Sequence, residues 1–118
     1  EQVIYSTQYR IYAGTVDLAA EDVDGNLVMV DWKRAKGIYP EYALQVAAYS
    51  VALEERTERT VKAAWIVRAT KLPGKDLDYG EFRLDRAAIE QAFQGFLAAV
   101  KLDEAVRDVK KDLLIQGV

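Results

Sequence analysis

The stretch "LVMVDWK", residues 27–33, constrains the fold more than any other part of the chain. It is apolar on both faces until Asp31, the pattern of a central strand covered on both sides. "DGN" at Asp24 to Asn26 precedes it and is a strong hairpin signal. Ahead of that turn, "TVDLAAEDV" reads as the partner strand, with Val16, Leu18 and Ala20 on one face and Thr15, Asp17 and Ala19 on the other. Beyond the central strand, Gly37 leads to Pro40, which suits a first helical turn. Leu44, Ala48, Val51 and Ala52 then recur at helical spacing, which places a helix over about 41–56. "TVKAAWIVRAT", from Thr60, reads as a second buried strand. A strand–helix–strand unit of this length implies a parallel crossover.

The flanking segments extend this unit. "EQVIYSTQYRIYAG" reads as two short strands, 3–5 and 9–12, around the polar turn Ser6-Thr7-Gln8. "KLPGKDLDYG" reads as a loop, "EFRL" as a short strand, and Asp85 as the cap of a last helix. That helix carries an apolar stripe of Ile89, Phe93, Phe96, Val100, Val106, Val109 and Leu113. With no repeat or linker in its 118 residues, the chain is expected to be one α/β domain around a mixed sheet.

Two aspartates and a lysine break the apolar pattern. Side chains alternate along a strand, so Asp31 and Lys33 share a face, roughly 6.5–7 Å apart at Cα. If the hairpin loop is the three residues 24–26, Val23 pairs with Leu27, and Asp17 falls opposite Lys33 and diagonal to Asp31. A two-residue turn would send Asp17 to the other face, because one step of register flips every side chain. Converging carboxylates can hold a hard cation through oxygen, with the Trp32 carbonyl as a further donor. Such an ion polarises a phosphoryl oxygen, and Lys33 can position the attacking water or neutralise developing charge. A second reading fits the same residues: Asp17 ends a strand, and Asp31–Lys33 is a solvated ion pair worth roughly 0–1 kcal/mol.

Composition narrows the chemistry. With no Cys there is no disulfide, zinc–thiolate site or iron–sulfur cluster, and with no His there is no His-activated nucleophile. Proton transfer falls to Asp, Glu, Lys, Tyr or water, and a metal site would have the oxygen ligands that suit magnesium or manganese. The net charge of −3 argues against a protein that coats nucleic acid, though not against a local basic groove. No apolar run approaches the ~20 residues of a membrane span, and no signal-peptide pattern opens the chain. A cytoplasmic protein without a membrane partner is the expectation.

The order "GTVD" (Gly14 to Asp17), "DWK" (Asp31 to Lys33), then Gln45 and Tyr49 on the following helix resembles the PD-(D/E)xK nuclease superfamily, most of all its RecB-like exonuclease branch. The match covers residues 1–53, and its three motifs are more specific together than singly. The resemblance implies a restriction-endonuclease-like αβββαβ core with the first helix absent or shortened, and a metal-dependent deoxyribonuclease acting on single-stranded DNA or ends. It makes Asp17 and Asp31 ligands of Mg2+ or Mn2+, with the Trp32 carbonyl beside them, and Lys33 the catalytic lysine. Gln45 and Tyr49, four apart on one helical face, would orient the site or contact a phosphate, while Arg34 and Lys36 could meet the nucleic acid or form a solvated loop. Many relatives complete the site with a His or Glu on an upstream helix. Glu1 is the one candidate here for that acidic position, so a missing N-terminal region or a partner subunit could complete the site. Alternatives are a non-catalytic nucleic-acid-binding module and a subunit of a larger assembly that docks through its last helix. Arg68, Lys71 and Lys75 are further candidates to line a groove.

Overall fold

The apolar run that dominates the sequence forms the strand on which the rest is built. The computed structural model describes residues 2–6 and 12–117, with 2–6 and 12–16 described by their backbone alone. β1 (Gln2–Ser6) pairs antiparallel with β2 (Tyr12–Val16). β3 (Leu18–Glu21), β4 (Leu27–Lys33), β5 (Val61–Thr70) and β6 (Asp78–Leu84) form a four-stranded sheet in that order. β4 and β5 are parallel, and the two outer pairings are antiparallel. α1 (Pro40–Thr57) makes the expected crossover, and α2 (Arg86–Ile115) follows β6. This is the expected α/β architecture, a mixed sheet with helices packed on it. Part of the strand expected at 9–12, the turn residues Thr7 and Gln8, and Glu1 lie outside the described residues.

Alternation along β4 sorts its residues between two environments. Leu27 and Met29 face α1 and share the core with Val46, Ala47, Ala52 and Leu53 of α1, Val61, Ala64 and Ile66 of β5, Leu84 of β6, and Ile89 and Phe93 of α2. Val28 and Val30 are also buried, on the other face, as the two-sided apolar run requires. Pro40 opens α1 as expected, and Glu58 closes it in the left-handed conformation at φ 55°. α1 lies against the β1–β2 pair, the sheet and α2 together. That surround explains why the Leu44–Val51 stripe understated its burial. Val46 and Ala47 are fully buried, while Leu44 and Val51 are half-buried. Small residues let so many neighbours approach.

Two expectations need correction. The β3–β4 ladder ends at Glu21↔Leu27, so the connection is the five residues 22–26 rather than three. Asp22 explains the difference, because its Oδ1 accepts from the backbone N–H of both Asp24 and Asn26 at 2.9 Å. Gly25, at φ 79°, completes that loop. β6 starts at Asp78 instead of Glu81, which absorbs three residues expected in the loop. Gly80 permits this, since a Cβ there would lie 2.8 Å from the Arg68 guanidinium that crosses it. The apolar stripe of α2 is buried in its first half and exposed beyond it. Asp85 caps the helix as expected, accepting from Ala88 N–H at 2.8 Å, and Ile89 and Phe93 are buried. Val106, Val109 and Leu113 are exposed, and Leu102 and Leu114 with them. The helix therefore projects, and the radius of gyration is 17.2 Å, against roughly 13 Å for a compact 100-residue domain.

This distribution of burial makes a prediction for chemical denaturation. Phe93→Ala should cost about 3–5 kcal/mol. Leu114→Ala should stay within about 0.5 kcal/mol. Comparable losses at both positions would show that the distal half of α2 is covered in solution.

Candidate active site

Asp31 and Lys33 continue the face of β4 that begins with Leu27 and Met29, so both lie under α1. Asp31 is 5% exposed, a carboxylate at the edge of an apolar core. Asp17 sits at the bend between β2 and β3. Leu18 pairs with Val30, and continuing that register sets Asp17 level with Asp31 rather than with Lys33. The offset from the expected pairing is two residues, so the face is preserved. The Asp17 Oδ2 accepts from the Trp32 backbone N–H at 2.8 Å. This bond anchors the bend to β4 and brings the Asp17 carboxylate against that of Asp31.

Lys33 reaches back from the strand end. Its Nζ lies 3.2 Å from Asp31 Oδ2 and donates to Gln45 Oε1 at 2.7 Å. The same ammonium stands 4.9 Å over the Tyr42 ring. Gln45 Nε2 in turn donates to the Tyr49 hydroxyl at 3.2 Å. The contacts thus run Asp17–Asp31–Lys33–Gln45–Tyr49 from the sheet to one face of α1. Burial pushes the Asp31 carboxyl above its ordinary range, Lys33 opposes that shift, and the adjacent Asp17 adds to it. Despite the nearby ammonium, Asp31 Oδ2 is buried and receives no aligned hydrogen bond.

A buried, unsatisfied carboxylate oxygen beside a second carboxylate suits a hard cation. The donor set is sparse, because no three Asp, Glu, His or Cys side chains cluster as metal ligands among the described residues. Magnesium tolerates that, since it commonly binds through one or two carboxylates and keeps several waters.

The remaining expected residues are placed differently. Arg34 and Lys36 are exposed on the coil after β4, outside the chain of contacts that joins Asp31 to Tyr49. Arg34 lines a cleft with Trp32 and Lys71, and Lys36 and Lys75 line the adjoining recess. Arg68 does not join them as an open cation, because Asp78 binds its guanidinium at 3.1 and 3.3 Å. Tyr42 belongs to the site although only Gln45 and Tyr49 were expected there. Its position, three residues before Gln45 on the same helical face, is the signal that could have found it.

No protein-family model and no curated protein matches the chain. Among solved structures, the chain is similar to a protein from Eubacterium rectale described as "Putative exonuclease". The TM-score is 0.61 at 15% sequence identity, over 91% of this chain and 44% of that one. The chain therefore spans less than half the length of this neighbour, and the likeness is one of fold. No helix among the described residues is long and apolar enough to cross a membrane.

The burial of Asp31 has a measurable consequence. Its folded carboxyl holds a proton to higher pH than the unfolded one does. The folded state thus binds more protons, and this group removes stability as pH rises above the unfolded value. In EDTA at neutral pH, Asp31→Asn should raise Tm and flatten the fall in stability on the alkaline side of pH 4. A lower Tm in the variant would mean that the Lys33 ion pair outweighs the burial cost.

Proposed function

We propose that the chain is a metal-dependent nuclease of the PD-(D/E)xK type, RecB-like branch, which hydrolyses DNA phosphodiester bonds in single strands or at ends. One observation carries this reading: Asp17, the neighbouring pair Asp31 and Lys33, and Gln45, drawn from three separate segments, meet at one end of the sheet in the order that the motifs imply. The fold shared with a protein described as "Putative exonuclease" supports it.

Each residue then has a task. Asp17 and Asp31 would hold Mg2+ or Mn2+. The Trp32 carbonyl is a further candidate ligand, since the N–H and C=O of one strand residue project toward the same neighbouring strand. The bound ion supplies Lewis acidity and a lowered pKa for water. Lys33 keeps an ammonium beside the carboxylates, where it can orient the attacking water and offset charge on the phosphoryl oxygens. Gln45 holds that ammonium in place through its Oε1 and is itself oriented by Tyr49. Gln45 and Tyr49 are thus positioning residues first, and contact with the phosphate is a secondary role for them. Arg34 and Lys36 would act on the nucleic acid outside this centre.

A second reading rests on the sparse donor set among the described residues. A chain with two carboxylates could serve as a nucleic-acid-binding module without catalysis, or could receive a third acidic ligand from a partner subunit or from further N-terminal residues.

Cleavage of end-labelled single- and double-stranded DNA in EDTA, magnesium or manganese separates these readings. Metal-dependent cleavage should fall roughly 10²–10⁴-fold in Lys33→Ala, and by less in Gln45→Leu. The nuclease reading is wrong for this chain alone if no metal supports cleavage, or if Lys33→Ala cleaves as well as the wild type.

A further inference from the structure

Parallel strands in an α/β sheet commonly present their ligands at their carboxyl ends. β4 and β5 are the parallel pair here, and a cleft of about 650 Å³ opens where they end. Lys33 belongs both to the cleft and to the carboxylate site. Around it the cleft is lined by Trp32, Arg34, Thr70, Lys71 and Leu77. Trp32 alternates with Lys33, so its indole leaves the opposite face of the strand, and it is 55% exposed. Leu77, across the cleft, is exposed as well. Thr70 joins the cleft to a second recess that holds Lys36 and Lys75. That recess also holds Asp76 and Asp78, and Asp78 is occupied by Arg68. In a chain of net charge −3, four further cations thus gather beside the candidate site, next to an open aromatic ring.

We infer that this cleft seats the nucleotide adjacent to the phosphate under attack, that Trp32 is the platform on which its base stacks, and that the strand bound there is single. This rests on the nuclease reading for what lies next door, but the binding itself requires no hydrolysis. Cations along a groove track the phosphate backbone, and an aromatic side chain accepts any base on its π-face. A base inside a duplex is already stacked on both sides and must be unpaired before it can reach such a platform. The arrangement therefore selects single strands by stacking and contributes no sequence preference. Arg34 and Lys71 are the phosphate contacts nearest Trp32, and Lys36 and Lys75 extend the path of the strand.

The test uses fluorescence without turnover. The chain has two tryptophans, so Trp65→Phe leaves Trp32 as the only indole. In EDTA, titration of this variant with a short oligothymidylate should quench its emission. With a dye-labelled oligothymidylate followed by anisotropy, which needs no indole in the protein, Trp32→Ala should weaken binding roughly 5- to 150-fold, and Trp32→Phe should recover most of the loss. Blunt duplex of the same length should bind more weakly and leave the indole unquenched. Arg34→Ala and Lys71→Ala should each weaken binding and reduce its salt dependence. Single-strand affinity indifferent to Trp32→Ala, or equal affinity and quenching with duplex, would overturn the inference. The two readings fail separately. Trp32-dependent binding without cleavage in any metal removes the nuclease and keeps the cleft, whereas cleavage with Trp32-independent binding does the reverse.

Discussion

A carboxylate buried at the edge of an apolar core is costly unless something compensates it, and Asp31 imposes that constraint on its surroundings. Two neighbours respond in opposite directions. Lys33 brings an ammonium to 3.2 Å, which favours the ionised form. Asp17, held by the Trp32 N–H, brings a second carboxylate, which disfavours it. Two carboxylates against one ammonium leave a net negative charge, which is the charge the proposed cation would offset. The polar side chains of α1 follow from the same constraint. Gln45 and Tyr49 keep the ammonium directed at the strand end rather than at solvent.

Much of this was legible in the sequence, for identifiable reasons. The parallel pair could be read because β4 and β5 are apolar on both faces and flank a helix-length segment. The pairing of Asp31 with Lys33 followed from strand alternation alone. The exact register with Asp17 did not, because the connection was set by Asp22, whose side chain closes a five-residue loop around the expected turn. Asp17 reached the right face only because the offset was even. The early start of β6 was hidden for a similar reason. Gly80 looks like a loop glycine, but it gives the Arg68 guanidinium room to cross the strand.

α2 marks where sequence pattern stops informing. Its apolar periodicity continues past Val100, yet the residues from Leu102 onward are largely exposed. Periodicity reports which face a helix could bury and not whether anything lies there. The site shows the converse limit. Tyr42 shares a helical face with Gln45 and Tyr49, but its contact with Lys33 required the strand end to be placed against α1. Trp32 was legible as a backbone donor between the two motif residues, whereas the exposure of its side chain in a basic cleft depends on the loop after β5.

The proposed function requires that Asp17 and Asp31 together hold a divalent cation. Manganese binding followed by the loss of the free-ion EPR signal tests it most directly, on the wild type and on Asp17→Asn and Asp31→Asn. Wild-type protein should bind manganese saturably, and both variants should lose that binding while retaining the fold by circular dichroism. Absence of saturable binding, or binding unchanged in either variant, would contradict it.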